Sequence, residues 1–208
     1  MTDNIHYSDS TNSRSSGVSY SQRNSNSEAK KAITEIVIIL IIAGIAAVLV
    51  RAFLLQLFYI PSPSMEPTLK VNDKIFVNKL SYKFHEIDRG DIIVFDAPAS
   101  VKSDKIKDLI KRVVALPGET IEGKCESGNG PCNVDIYIDG KKLNEPYIGD
   151  DIFYSPFTAV TVPANSVFVM GDNRGNSEDA RVFGPIPKDT IVGRAFLRIM
   201  PLSGFGFL

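Results

Sequence analysis

LIKRVVALPGETIEG, residues 109–123, holds two short β-branched runs, LIKRVVAL and ETIEG, parted by Pro117 and Gly118. Runs of four to eight residues rich in Val, Ile and Thr and bounded by Pro or Gly read as strands. Successive side chains of a strand point to opposite faces, so Lys111 shares a face with Leu109 and Val113 while Arg112 faces the other way. A lysine among such neighbours is either an edge charge that discourages aggregation or an amine whose charged form burial disfavours.

Outward from this stretch the pattern repeats. KIFVNKL (74–80), DIIVFDA (91–97), VDIYIDG (134–140), AVTVP (159–163), SVFVMG (166–171) and TIVGRAFLRI (190–199) have the same character, and Asp139-Gly140 before KKL is a hairpin signal. No helical period of useful length lies between them. The expectation is an all-β domain over residues 56–208, built of antiparallel sheets or a partly closed barrel. No internal repeat is present.

Upstream, IVIILIIAGIAAVLV (36–50) has no polar side chain, and Ala32, Ile33, Ala52 and Leu55 lengthen the apolar run. A membrane span needs about 20 mostly apolar residues, with Glu35 and Arg51 then near the two interfaces. A buried globular helix would carry a polar face that this run lacks. A cleavable leader would need a small-x-small site after Val50, where the chain reads RAFLLQLF. Residues 32–55 are therefore expected to form a single uncleaved transmembrane helix. Residues 1–31, with nine serines and few large apolar side chains, are expected to be a disordered tail. Ser27 to Lys30 forms an S-x-x-K pattern without its companion motifs, and is read as coincidence. Arg14, Arg23, Lys30 and Lys31 precede the apolar run and Arg51 follows it, which puts the tail on the cytoplasmic side and the β domain outside.

A formal charge of -1 gives no cationic excess of the kind that tracks a phosphate backbone, so nucleic acid is not an expected partner. Only two histidines exist, His6 and His85, which leaves little material for a histidine-based site or a zinc site. Cys125 and Cys132 flank ESGNGP, where a turn brings them within bonding reach. A disulfide and a pair of free thiols both fit, metal binding fits less well, and an extracytoplasmic location favours the disulfide.

Two further segments carry chemistry. IPSPSMEPTL (60–69) alternates Ser62 and Ser64 with Pro61 and Pro63, whose fixed φ is expected to hold the stretch extended. A serine hydroxyl needs a base to become a nucleophile, and PSPS taken alone reads first as a linker between helix and domain. With histidine scarce, a neutral lysine in an apolar run is the better base, which returns to Lys111. GDNRGNSEDARVFGPIP (171–187) is dense in hydrogen-bonding groups. Ser177 there can orient an amine and Asp179 can pair with Arg181, although spacing alone favours a plain surface turn.

Taken in order behind one membrane anchor, IPSPSMEPTL, DRGDIIVF (88–95), IKRVVALPGE and GDNRGNSEDAR resemble the type I signal peptidase family. The resemblance implies a membrane-bound serine endopeptidase that removes signal peptides from exported preproteins after Ala-x-Ala-like ends, with no cofactor and no metal. It implies Ser64 as nucleophile, Lys111 as general base, and Ser62 with the Ser64 N–H as oxyanion donors. Ser177 would position the lysine, supported by Asp179 and Arg181. Phe58, Ile60, Met65, Leu69 and Ile110 would wall the substrate pockets. Gly175 departs from the carboxylate or asparagine frequent in relatives. The bilayer and signal-peptide-bearing preproteins are the implied partners, in a bacterial-type cell membrane or an internal membrane of the same topology. A soluble self-cleaving Ser-Lys repressor-type protease is disfavoured by the membrane run. A catalytically silent anchored module is disfavoured by the presence of Ser64, Lys111 and Ser177.

Overall fold

The computed structural model describes residues 18–104, 106–125, 134–149 and 154–208. The first element is one helix, α1 (Val18–Phe53, 36 residues). Its stretch Glu28–Val48, 21 residues with none of its surface buried, is long and apolar enough to cross a membrane. At 1.5 Å per residue that is about 31 Å, the thickness of a bilayer core. The helix starts at Val18, within the stretch expected from composition to be a tail. Glu28, Ala29, Lys30 and Lys31 are good helix formers, and extending an existing helix adds a hydrogen bond for each residue ordered. Residues 1–17 lie outside the described part. The far boundary also shifts, because α1 ends at Phe53 and Leu55 already belongs to a strand.

Twelve strands follow among the described residues. They are β1 (Leu55–Tyr59), β2 (Lys74–Asn78), β3 (Ile92–Asp96), β4 (Asp108–Ala115), β5 (Thr120–Cys125), β6 (Val134–Ile138), β7 (Lys141–Lys142), β8 (Phe157–Thr161), β9 (Ser166–Met170), β10 (Ile186–Pro187), β11 (Ile191–Met200) and β12 (Gly206–Phe207). Two four-residue helices, α2 (Ser81–Phe84) and α3 (Ala180–Phe183), interrupt them. All eight strands expected from β-branched runs are present. The additional ones are β1 and the two-residue β7, β10 and β12, the last three too short to leave a periodic signature.

The strands form two antiparallel sheets. The larger has the order β1-β2-β11-β3-β4-β9-β10 with β12 beside β11, and the smaller has the order β7-β6-β5-β8. Asp139 and Gly140 both have positive φ, the geometry of a tight two-residue hairpin turn, and they link β6 to β7 as expected.

Alternation along the central strands divides the core. Ile93, Phe95, Val113 and Phe168 pack with Ile121 and Ile136 of the smaller sheet, whereas Ile92, Val94, Ile75 and Val77 pack with Ile60, Met65 and Leu69 from the segment after β1. Each such side chain contributes roughly 1.5–3 kcal/mol on burial. Both faces of β3 and β4 are thus covered, which is why residues 92–95 and 111–115 are buried without a break. Lys111 is opposite Ile93 in this register, in the middle of the larger sheet rather than at an edge.

Candidate active site

The segment after β1 is expected from its prolines to be extended, and it is so only as far as Ser62 (φ -131°, ψ 155°). Pro63, Ser64 and Met65 instead form one turn of 3-10 helix. The fixed φ of proline suits the first position of a helical turn as well as an extended chain, and the former wins here because Met65 and Leu69 drop into the core beneath. The Leu69 N–H donates to the Met65 carbonyl at 2.9 Å, and Asp73, itself buried, accepts from the Lys70 N–H at 3.0 Å. Ser64 is thereby raised on a packed turn rather than on a linker.

Lys111 comes from β4 and is only 3% exposed. Its Nζ donates to Ser64 Oγ at 2.8 Å, joining residues 47 apart in sequence. Burial lowers its pKa to about 8, against opposing attraction from Asp179. An amine with that pKa carries a substantial neutral fraction near pH 7 to 8, in which state it accepts a hydroxyl proton. Ser62 Oγ lies 3.3 Å from Ser64 Oγ on the exposed side.

The polar loop 171–181 closes the other side. Gly171 has no space for a side chain, since a Cβ there would overlap the Ser64 carbonyl oxygen and Ser177 Oγ. The Asn173 N–H donates to the Ser64 carbonyl at 3.1 Å and its side-chain amide donates to the Pro63 carbonyl at 3.2 Å. Asp179 is fully buried, accepts from the Gly171 N–H at 3.0 Å, and holds Arg181 through Nε and Nη2, each at 2.8 Å. Burial opposes its ionisation, but the Arg181 bonds and charge outweigh that and keep its pKa below the ordinary carboxylate range. Ser177 Oγ is buried near Asp179, whose ionised form it favours, and makes no well-formed hydrogen bond among the described residues. A buried hydroxyl without a well-formed bond is costly and is retained where something else uses it.

A cavity of about 300 Å³ is lined by Phe58, Tyr59, Ile60, Pro61, Val94, Leu109 and Ile110, with Asp104, Lys107 and Asp108 also on its wall; Pro61 is three residues before Ser64 and Ile110 is next to Lys111 in sequence. Three of the five expected wall residues are therefore found there. Met65 and Leu69 are absent from that wall, having no exposed surface and belonging to the core under Ser64. Cys125 is disulfide-bonded, and Cys132 lies outside the described residues. Among the described residues no group of three or more His, Cys, Asp or Glu side chains is arranged to hold a metal.

Several groups at the site have no clear sequence signal. Arg112, next to the lysine, donates to both oxygens of fully buried Asp172 at 2.8 and 2.7 Å and to the Gly90 carbonyl at 2.8 Å. Thr68 donates to Asp172 at 2.5 Å. Arg174 is bound to Glu145 from the segment after β7. A motif spelling such as GDNR marks these residues as polar, but only the fold reveals their partners.

A buried lysine bonded to a serine hydroxyl is an arrangement of nucleophile and base that a serine hydrolase can use. Residues 33–200 match the family model described as signal peptidase, peptidase S26, so the chain belongs to this family of serine endopeptidases. A probable signal peptidase I-1 from Synechocystis sp. is 44% identical over 85% of this chain and 87% of its own length. A second from that organism, probable signal peptidase I-2, is 38% identical over 81% of this chain and 74% of its own. Signal peptidase IB from Staphylococcus aureus (strain COL) is 32% identical over 85% and 94%.

Proposed function

We propose that this signal peptidase cuts its substrates by a Ser64–Lys111 dyad through an acyl-enzyme. Neutral Lys111 takes the proton from Ser64, and the oxygen attacks the carbonyl carbon of the residue ending the signal peptide. The Ser62 hydroxyl and the Ser64 N–H bind the negative oxygen that develops. Lys111 then protonates the departing amine of the mature chain. It next deprotonates a water that hydrolyses the ester, freeing the signal peptide and returning the proton to Ser64. Ser177 offers its hydroxyl to the amine, and the Asp179–Arg181 pair holds that loop. The single observation that carries this reading is the 2.8 Å bond between a lysine amine buried to 3% exposure and the serine on the 3-10 turn.

The small cavity whose wall includes Pro61 and Ile110, close in sequence to Ser64 and Lys111, supports a preference for small residues before the cut, with Phe58, Ile60 and Ile110 as its apolar wall. The lower end of ordinary ligand-site volumes suits one or two short side chains and excludes a helix. The apolar span in α1 supports an anchor, with its cationic flank toward the cytoplasm and the catalytic domain outside. Leu57, Phe76, Leu197 and Phe207 stand in cross-strand register on β1, β2, β11 and β12, with Leu57 and Phe207 exposed, which supports contact of this domain with lipid. Confining enzyme and signal peptide to one surface raises their effective concentration.

The test is turnover of a signal-peptide-bearing preprotein by the full chain in detergent. Ser64→Ala and Lys111→Ala should leave no measurable cutting above background, and Ser62→Ala should lose about 100- to 1,000-fold in kcat. Near-native cutting by either dyad variant would end the proposal.

A further inference from the structure

The three arginines around the site, Arg112, Arg174 and Arg181, share one feature. Each is also met by a side chain from the chain that follows β7. The Tyr147 ring lies under the Arg112 guanidinium, 4.0 Å from its centroid, and the Tyr154 ring lies 4.9 Å from that of Arg181. Glu145 binds Arg174 through both oxygens, at 2.9 Å to Nη1 and 2.5 Å to Nη2, and Tyr147 donates its hydroxyl back to Glu145 at 2.7 Å. The Arg174 side chain has no exposed surface and that of Glu145 is 9% exposed.

Arg174 leads to the nucleophile. Its Nε donates to the Gly171 carbonyl at 3.1 Å, and Gly171 is the residue wedged against the Ser64 carbonyl and Ser177. Glu145 is the only carboxylate bonded to Arg174 among the described residues. A surface arm of the smaller sheet is therefore joined, through two charged side chains and one backbone carbonyl, to the loop that seats Ser64. Nothing in that chain touches the reacting atoms.

We propose that Glu145 is a positioning residue of the protease, holding loop 171–174 against Ser64 through Arg174, with Tyr147 bracing the same arm on Arg112. The inference rests on the dyad reading above. The device acts through placement: a shift of about 1 Å in a reacting group costs on the order of 100-fold in rate. Freeing the loop would also admit water to Lys111, whose burial is what depresses the pKa of its amine.

The test uses the full-length protein in detergent micelles cutting a preprotein, with Ser64→Ala as the control for the dyad. Glu145→Gln keeps size and shape but removes the charge. It should lower kcat by about 10- to 100-fold with KM within about twofold, and move the pH of half-maximal kcat upward, toward that of an ordinary lysine. A double variant, Glu145→Leu with Arg174→Leu, replaces a buried ion pair by apolar bulk, which commonly preserves stability. It should melt near the wild-type temperature and remain slow. Wild-type kcat and pH midpoint in Glu145→Gln overturn the proposal, as does recovery of turnover along with stability in the double variant. A rate loss matched only by a loss of folded protein, with the pH midpoint unmoved, overturns it too. Activity in Ser64→Ala would instead remove the dyad reading beneath it.

Discussion

Lys111 and Arg112 are adjacent on β4 and both buried, yet one is bonded to a single hydroxyl while the other clamps Asp172 with bonds of 2.8 and 2.7 Å. The strand points them to opposite faces. One charge is compensated and the other is left to lose its proton. Removing Asp172 should strand a buried guanidinium, so Asp172→Ala is expected to lower stability by about 3–5 kcal/mol. Chemical denaturation of the purified variant measures it.

The depressed pKa of Lys111, about 8, sets the pH dependence of cutting. The base must be neutral, so kcat/KM should fall as pH drops through about 8 and level off above it. A profile of preprotein cleavage from pH 6 to 10 checks both limb and plateau.

The same shift makes the lysine a thermodynamic burden. Its pKa is lower folded than unfolded, so the unfolded chain binds more protons between about pH 8 and 10.5 and stability rises with pH across that window. Below it the penalty is complete, of the order of 3 kcal/mol from a shift of 10.5 to about 8. Lys111→Met should accordingly abolish activity while raising Tm at pH 7, with the gain shrinking toward pH 10.5. Thermal melts at several pH values read it directly.

Gly171 is required for space. Its Cβ would have to overlap backbone at Ser64 as well as Ser177 Oγ, so the strain cannot be relieved by turning a flexible side chain. Gly171→Ala should cost about 1–3 kcal/mol in stability and lose most of its turnover, measured side by side by melting and preprotein cleavage.

Much of the fold was legible locally. The eight β-branched runs became strands because each run carried its own length and its own Pro or Gly bounds, and the Asp139-Gly140 turn carried its own geometry. The start of α1 was less legible. Ser- and Asn-rich composition argued for disorder, while the helix already formed by the apolar span extends back to Val18. The turn at Pro63 misled for a related reason, since proline permits both an extended and a helical continuation and packing of Met65 decided between them.

By itself the sequence determined what depends on neighbours along the chain: the apolar length of the membrane run, strand periodicity, and the presence of Ser64, Lys111 and the polar loop. Only the tertiary structure decided which of these meet. Lys111 reaches Ser64 across 47 residues and Glu145 reaches Arg174 across 29. Desolvation and ion pairing are set by what surrounds a group in space. Two adjacent cations of one strand thus receive opposite fates that no spacing rule distinguishes.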